Sequence, residues 1–165
     1  MYYNILFNKW AKLRVKKMEA ALKMTPDYSM DLLFVRLANL LAPYYEESIK
    51  AMHKQNPSRF EDTNNPFTIA DLGCNDTMTS LPIYKRLIET IRSINPELPI
   101  IIYLNDLPHI NWNVTIKNAK ENLKAYKDVY VHMAPGSFYE SIFAPNSIDL
   151  FFSHLALYVM SKHPG

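Results

Sequence analysis

The sequence predicts an α/β domain of the doubly wound type, and three observations carry that expectation. Short apolar runs of strand length alternate with longer segments whose apolar residues recur at helical spacing. One run, Pro99-Ile-Ile-Ile-Tyr-Leu104, is apolar throughout, as befits a parallel strand covered on both faces. Another, Phe67-Thr-Ile-Ala-Asp-Leu72, carries an acid one residue from its end and is followed by Gly73, which places a tight turn at a strand tip where a ligand can approach backbone.

The elements follow in order. Residues 5–23 set Ile5, Leu6, Trp10, Leu13, Ala21 and Leu22 near one side of a helix and crowd Lys9, Lys12, Arg14, Lys16 and Lys17 over the rest. This basic amphipathic segment, residues 1–24, reads either as a solvated leading helix or as one that docks on anionic lipid or directs targeting. Thr25-Pro26-Asp27 signals a helix start. From Tyr28 to about His53 the helical spacing of Leu32, Leu33, Val35, Leu37, Leu40, Leu41, Tyr44, Tyr45 and Ile49 predicts a long, mostly buried helix. Lys54 to Pro66, polar and rich in proline and asparagine, reads as a surface loop. Strand Phe67–Leu72 then leads to a helix over Ser80–Ile94, strand Pro99–Leu104, a helix from Asn113 to about Tyr126 capped by Asn113, strand Val129–Met133 and strand Ser147–Phe152.

Composition narrows the function classes. At 165 residues with 48% hydrophobic content the chain is long enough for one ordinary core. A formal charge of +2, with no RNA-binding, zinc-finger or helix-turn-helix pattern, gives no reason to expect nucleic acid. No apolar run reaches the roughly 18 residues of a membrane span. The single Cys74 forms no internal disulfide and fits a reducing, cytoplasmic setting. His53, His109, His132, His154 and His163 show no metal-ligand spacing. Three glycines against eleven prolines is an unusual balance for a protein that would cradle a nucleotide on backbone.

Ligands of such sheets sit beyond the carboxyl ends of the strands, so the candidate turns are Gly73–Ser80, Asn105–Asn111, Ala134–Tyr139 and Ser153–Tyr158. The first offers an acid, a glycine and a helix amino terminus. It is not G-x-G-x-x-G, because Asn75 and Met78 occupy the second and third glycine positions, which argues against a nicotinamide or flavin dinucleotide. In Leu104-Asn-Asp106-Leu-Pro108, the acid at the second strand tip is placed to accept two ribose hydroxyls, or else to cap a turn. Pro135-Gly-Ser-Phe-Tyr139 supplies a turn, a hydroxyl and an aromatic face. Cys74, near a helix start, is a candidate nucleophile by position, but no His–acid pair is readable beside it.

Taken together and in order, IADLGC, LNDLP, PGSFY and the spaced serines Ser153 and Ser161 before Pro164 resemble the plant SABATH group of S-adenosylmethionine-dependent carboxyl methyltransferases, as does the opening around Met18 to Ser29. That group includes salicylate, benzoate, jasmonate and indole-acetate methyltransferases and the N-methyltransferases of the caffeine pathway. The resemblance implies a Rossmann-like methyltransferase sheet preceded by helices. It also implies a small carboxylic acid or xanthine-like substrate and S-adenosylmethionine as cofactor, with magnesium in some members held by residues beyond this sequence. Residues 25–165 would be its amino-terminal part only, without the later strands and helical cap, so either the chain is a fragment or truncated product of a longer one, or its exposed sheet edge is completed by a second copy or a longer homologue.

Position by position, Tyr28, Gly73 and Cys74 match residues around the methionine portion of the cofactor. Asp106 matches the acid that holds the ribose, Leu107 lies beside the adenine, and Ser137 and Phe138 lie at its edge and face. Thr79 stands where the group has a cofactor-contacting asparagine, and Thr77 replaces its second glycine, adding a side chain where backbone should meet ligand. Asp31, Leu32 and Val35 replace an Asn, a Ser and a Gln of the opening segment. At the substrate, Leu155, Tyr158 and Val159 stand where the group has Tyr, His and Trp, and valine cannot supply the tryptophan N–H. The implied functions are methyl transfer to a small acid or nitrogen heterocycle, or a non-catalytic role as a partner or partial cofactor-binding module.

Overall fold

The computed structural model of the protein describes residues 30–154 and 156. The leading basic segment, Tyr28, Leu155, Tyr158 and Val159 lie outside the described residues. The order is α1 (Met30–Gln55), α2 (Ser58–Glu61), β1 (Phe67–Leu72), α3 (Leu81–Ile94), β2 (Ile100–Asp106), α4 (Trp112–Leu123), β3 (Val129–Pro135) and β4 (Leu150–Phe152). All strand pairs are parallel, in the order β3-β2-β1-β4, with Phe67 opposite Ile100, Ile100 opposite Val129 and Ile69 opposite Leu150. The chain steps from β1 to β2 to β3 in one direction, then crosses back past β1 to β4. That reversal makes a switch point beside the tip of β1, where open α/β sheets bind ligands.

Side-chain alternation divides the sheet. Phe67 and Ile69 of β1, Ile100, Ile102 and Leu104 of β2, and Phe152 of β4 join one buried cluster with Ala38 and Ile49 of α1, Ile83, Tyr84, Leu87, Ile88 and Ile91 of α3, and Ala119 and Leu123 of α4. Right-handed crossovers in a constant direction put α3 and α4 on one face, and α1 packs against α3 on the same side. The opposite face carries an aromatic row instead: Phe143, on the segment after β3, meets Tyr103 and Phe151 edge-on at 5.6 Å, and Tyr103 meets His132.

Several boundaries differ from the sequence expectation. The cap of α4 is Asn111, whose side chain accepts the Val114 N–H, and not Asn113, which lies inside the helix. β3 runs on through Ala134 and Pro135, so the following turn starts at Gly136; as an edge strand it tolerates the missing proline N–H. β4 is three residues long instead of six. α1 is amphipathic instead of mostly buried: Leu37, Ala38, Ala42 and Ile49 are buried while Leu40 is 45% exposed. The polar loop before β1 contains the single turn α2, which plants Phe60 in the core against Phe67. Among the described residues, no helix is long and apolar enough to cross a membrane.

That turn also places Arg59. Its guanidinium grips Asp149 with two bonds of 2.7 Å and donates to the carbonyls of Asn65 and Pro66, while Asp149 accepts the Thr68 N–H and hydroxyl. Two sites 90 residues apart are thereby locked at the amino end of β1 and β4. Both side chains are less than a fifth exposed, so the pair resembles a buried bidentate bridge more than a surface one. Replacing Arg59 with alanine strands a carboxylate and is expected to lower unfolding free energy by about 2–3 kcal/mol in urea titration; a loss of less than about 0.5 kcal/mol would assign the pair the small worth of a surface bridge.

Candidate functional site

The tips of β1, β2 and β3 converge on one polar knot. Gly73 has φ +81°, a conformation that L side chains rarely adopt, and a Cβ there would strike Ala156 beyond β4. The N–H groups of Gly73 and Cys74 donate to the Asn105 carbonyl at 2.9 and 3.0 Å. Asp106 closes the junction: its carboxylate accepts the Asn75 N–H at 2.8 Å and the Leu107 N–H at 2.7 Å, and its carbonyl accepts the Gly136 N–H.

With one glycine, the turn from Gly73 to Ser80 must be shaped by other means. Asn75 (φ +45°) and Thr77 (φ +70°) both enter the left-handed region, which asparagine tolerates and a β-branched residue resists. α4 holds them there. The Thr115 hydroxyl donates to the Asn75 carbonyl at 2.7 Å and the Asn118 amide to the Asp76 carbonyl at 3.0 Å, while the Asp76 side chain accepts the Met78 N–H. Thr77 is fully buried, so a backbone conformation that suits glycine carries a side chain here.

The expected site residues sort clearly. Gly73, Asp106, Leu107 and the turn with Ser137 and Phe138 meet at this knot; Leu107 is exposed, and the Phe138 ring lies 3.7 Å from where a Gly73 Cβ would stand. A cavity of about 200 Å³ opens on the aromatic face between Leu72, Phe138, Ile142, Phe143 and Phe151. Thr79 is half-buried just before the α3 cap. Cys74 is different. Its side chain joins the hydrophobic core, and burial, reinforced by the Asp71 charge, drives the thiol far above its ordinary range, so it is no nucleophile. Val35 is half-buried on α1.

Three residues without an assigned role emerge at the same end. Asn105 is fully buried and binds both flanking turns. His154, buried beyond β4, sets Nε2 3.1 Å from the Phe34 carbonyl, so that nitrogen carries the proton, and burial holds the ring below its ordinary pKa. Asp71 is fully buried on the helix side of β1, where the Tyr84 hydroxyl donates to Oδ2 at 2.5 Å and Oδ1 has no partner. An acid close before glycine at a strand tip is the signal for Asp71; Asn105 and His154 fall in the candidate turns Asn105–Asn111 and Ser153–Tyr158, but nothing local marks their partners. Among the described residues, no cluster of three or more His, Cys, Asp or Glu could hold a metal ion.

Comparison with known proteins decides the family. The profile of SAM-dependent carboxyl methyltransferases matches residues 35–165, most of the chain. The protein belongs to that family. A salicylate/benzoate carboxyl methyltransferase of Arabidopsis thaliana is 35% identical over 106 residues, 58% of this chain and 28% of that protein. A probable caffeine synthase 4 of Camellia sinensis is 28% identical over 78% of this chain and 37% of its own length. A salicylate carboxymethyltransferase of Clarkia breweri is 24% identical over 83% and 39%. The chain thus spans well under half of these relatives. A solved loganic acid methyltransferase with SAH superposes with TM-score 0.69 and 22% identity over 85% of this chain and 41% of that one, a likeness of fold.

Burial pushes the Asp71 carboxyl up from 3.8 to about 6, against the lowering effect of its bonds from Tyr84 and Ser80 and with a further push from Asp106. An unfolded chain therefore releases this proton at lower pH than the native one, and stability falls as pH rises from about 4 to about 6, then stays lowered. The whole decline is about 3 kcal/mol at about 1.4 kcal/mol per pH unit. Asp71→Asn should remove that slope in urea titrations between pH 4 and 8; an unchanged slope would show that Asp71 ionises normally in the fold.

Proposed function

We propose that the protein binds S-adenosylmethionine across the tips of β1, β2 and β3 and serves methyl transfer to a small-molecule acceptor, a carboxylic acid or a xanthine-like nitrogen. Family membership supports the reaction class. The observation that carries the binding reading is Asp106. Each of its carboxylate oxygens accepts one main-chain N–H, so the side chain is fixed, and each oxygen keeps a lone pair at a part-exposed tip, enough for two vicinal hydroxyls of a ribose. Leu107 and Phe138 supply apolar surface for an adenine and Ser137 a hydroxyl at its edge. The residues at this end fit the adenosine portion. Near the methionine portion the fit is tighter, because Thr77 fills its turn and Ala156 faces Gly73.

The bound cofactor supplies an electrophilic methyl group on a sulfonium. What the chain contributes is position and exclusion of water. A carboxylic acid acceptor is already ionised at neutral pH, so transfer to its oxygen asks no side chain to remove a proton. Asp71, walled into the core, and Cys74, held as a thiol, are consistent with an ionised carboxylate as the acceptor, whereas a xanthine-like N–H would have to give its proton to solvent.

A second reading, a homologue that binds cofactor weakly and acts through a partner, is favoured by the same Thr77 and by the open sheet side. Among the described residues β4 is an edge strand, and Phe151 within it is half exposed. Pairing there with a second copy or a longer methyltransferase would be read as an increase in mass by light scattering.

Titration calorimetry with S-adenosylhomocysteine separates the readings. Saturable binding is expected, weakened at least ten-fold by Asp106→Asn, which gives up half the acceptor capacity and the charge. Folded protein that gives no binding heat would overturn the cofactor reading. Thr77→Gly should strengthen binding several-fold, because glycine takes φ +70° without strain and clears the turn. Weaker binding by that variant would mean that the threonine is itself part of the site.

A further inference from the structure

We propose that Asn105 is the positioning residue of the cofactor site: through main chain and side chain together it sets the turn bearing Ser137 and Phe138 against the turn bearing Gly73. The proposal rests on the cofactor reading above and adds a residue to it. Asn105 occupies the carboxyl end of β2, opposite Leu72 of β1 and Ala134 of β3, and is fully buried. On one side its carbonyl receives the Gly73 and Cys74 N–H groups. On the other its amide nitrogen donates to the Ala134 carbonyl at 2.7 Å and to the Gly136 carbonyl at 2.9 Å.

The geometry identifies the side chain's orientation as well as its contacts. Both neighbours of the amide are carbonyl oxygens, so only the NH2 end can face them, and Oδ1 is turned the other way, buried and without a partner. An aspartate of the same shape would bring a carboxylate against two carbonyls. A leucine would leave two peptide oxygens unsatisfied. Gly136 is gripped twice over, its carbonyl by Asn105 and its N–H by the Asp106 carbonyl, and from it the chain proceeds directly to Ser137 and Phe138. The residues proposed for the adenine therefore hang from β2, the same strand that presents Asp106 to the ribose. A shift of that turn would misalign base and sugar contacts together.

Asn105→Asp and the milder Asn105→Ser, which keeps one donor, test this on the whole chain, at a temperature where circular dichroism shows each variant folded. Affinity for S-adenosylhomocysteine is expected to fall at least ten-fold in the aspartate variant and by less in the serine variant. Amide exchange at Gly136 is expected to accelerate in both, with exchange in α3 unchanged. A purely structural asparagine would lower the melting temperature while leaving the affinity of the folded variants as in the parent, and that result overturns the proposal. If the parent itself binds no S-adenosylhomocysteine, the cofactor reading fails on its own account. Exchange then decides the inference: faster exchange confined to Gly136 and its turn upholds the positioning role, and unchanged exchange there overturns it.

Discussion

A parallel sheet runs out of hydrogen-bond partners at its strand tips, and the arrangement of this molecule follows from how that shortage is met. Inside the ladder each peptide group is satisfied by its neighbour; one residue beyond the tip it is not, and a buried unpaired group costs about as much as a lost hydrogen bond. Side chains fill the gap at both ends. At the amino end Arg59 takes the carbonyls of Asn65 and Pro66, and Arg92 takes those of Pro96, Leu98 and Lys127. At the carboxyl end Asn105, Thr115, Asn118 and Ser153 cap the carbonyls of Ala134, Gly136, Asn75, Asp76 and Leu72, while Asp106 collects N–H groups. The two ends use different chemistry. Guanidinium groups with the Asp149 carboxylate close the amino end, and neutral amides and hydroxyls with the carboxylates of Asp76 and Asp106 close the other, where Asp106 spans the tips of β1 and β2.

This division accounts for the scarcity of glycine. A nucleotide turn rich in glycine holds its shape by having no side chains to clash; the turn here holds it by being tied down from outside. α4 pulls on the Asn75 and Asp76 carbonyls, Asp106 on the Asn75 N–H, and the Asp76 side chain on the Met78 N–H. These bonds retain Thr77 in a left-handed conformation that costs on the order of 1–2 kcal/mol for such a residue. The turn thus carries a buried threonine side chain at a position whose backbone conformation glycine adopts without strain.

What the sequence made legible divides along the same line. The strands over Phe67–Leu72 and Pro99–Leu104, the helix at Ser80–Ile94 and the resemblance at IADLGC, LNDLP and PGSFY are local patterns, and the structure builds them where expected, β2 extending to Asp106. The cap of α4 was misplaced by two residues because Asn111 and Asn113 are equally good caps in isolation; the choice depends on where the chain leaves β2. Pro135 reads as a turn until β3 is known to be an edge strand. Arg59 and Asp149 lie 90 positions apart, and Asn105 reaches residues 29 and 31 positions away, so neither partnership leaves a spacing to recognise. Polar residues that act by satisfying distant peptide groups have no period.

The reaction proposed above gives that invisible layer its functional weight. Methyl transfer to an ionised acid needs no residue to accept a proton, so chemistry places few demands on side-chain identity and many on geometry. In such a site the residues that fix main-chain turns stand in the place that a general base holds in a hydrolase, although they touch neither reactant. Asp71 illustrates the contrast: a carboxyl at the first strand tip whose burial raises it to about 6 has the pKa of a working acid–base group, yet it is walled into the core with Tyr84 and opens onto no ligand. A perturbed pKa marks burial here. Asp106, part-exposed and bracketed by two N–H donors, has the more ordinary appearance and the better position. For a site of this class, ranking residues by how firmly they are held at an exposed strand tip is a better guide than ranking them by how far their ionisation is displaced.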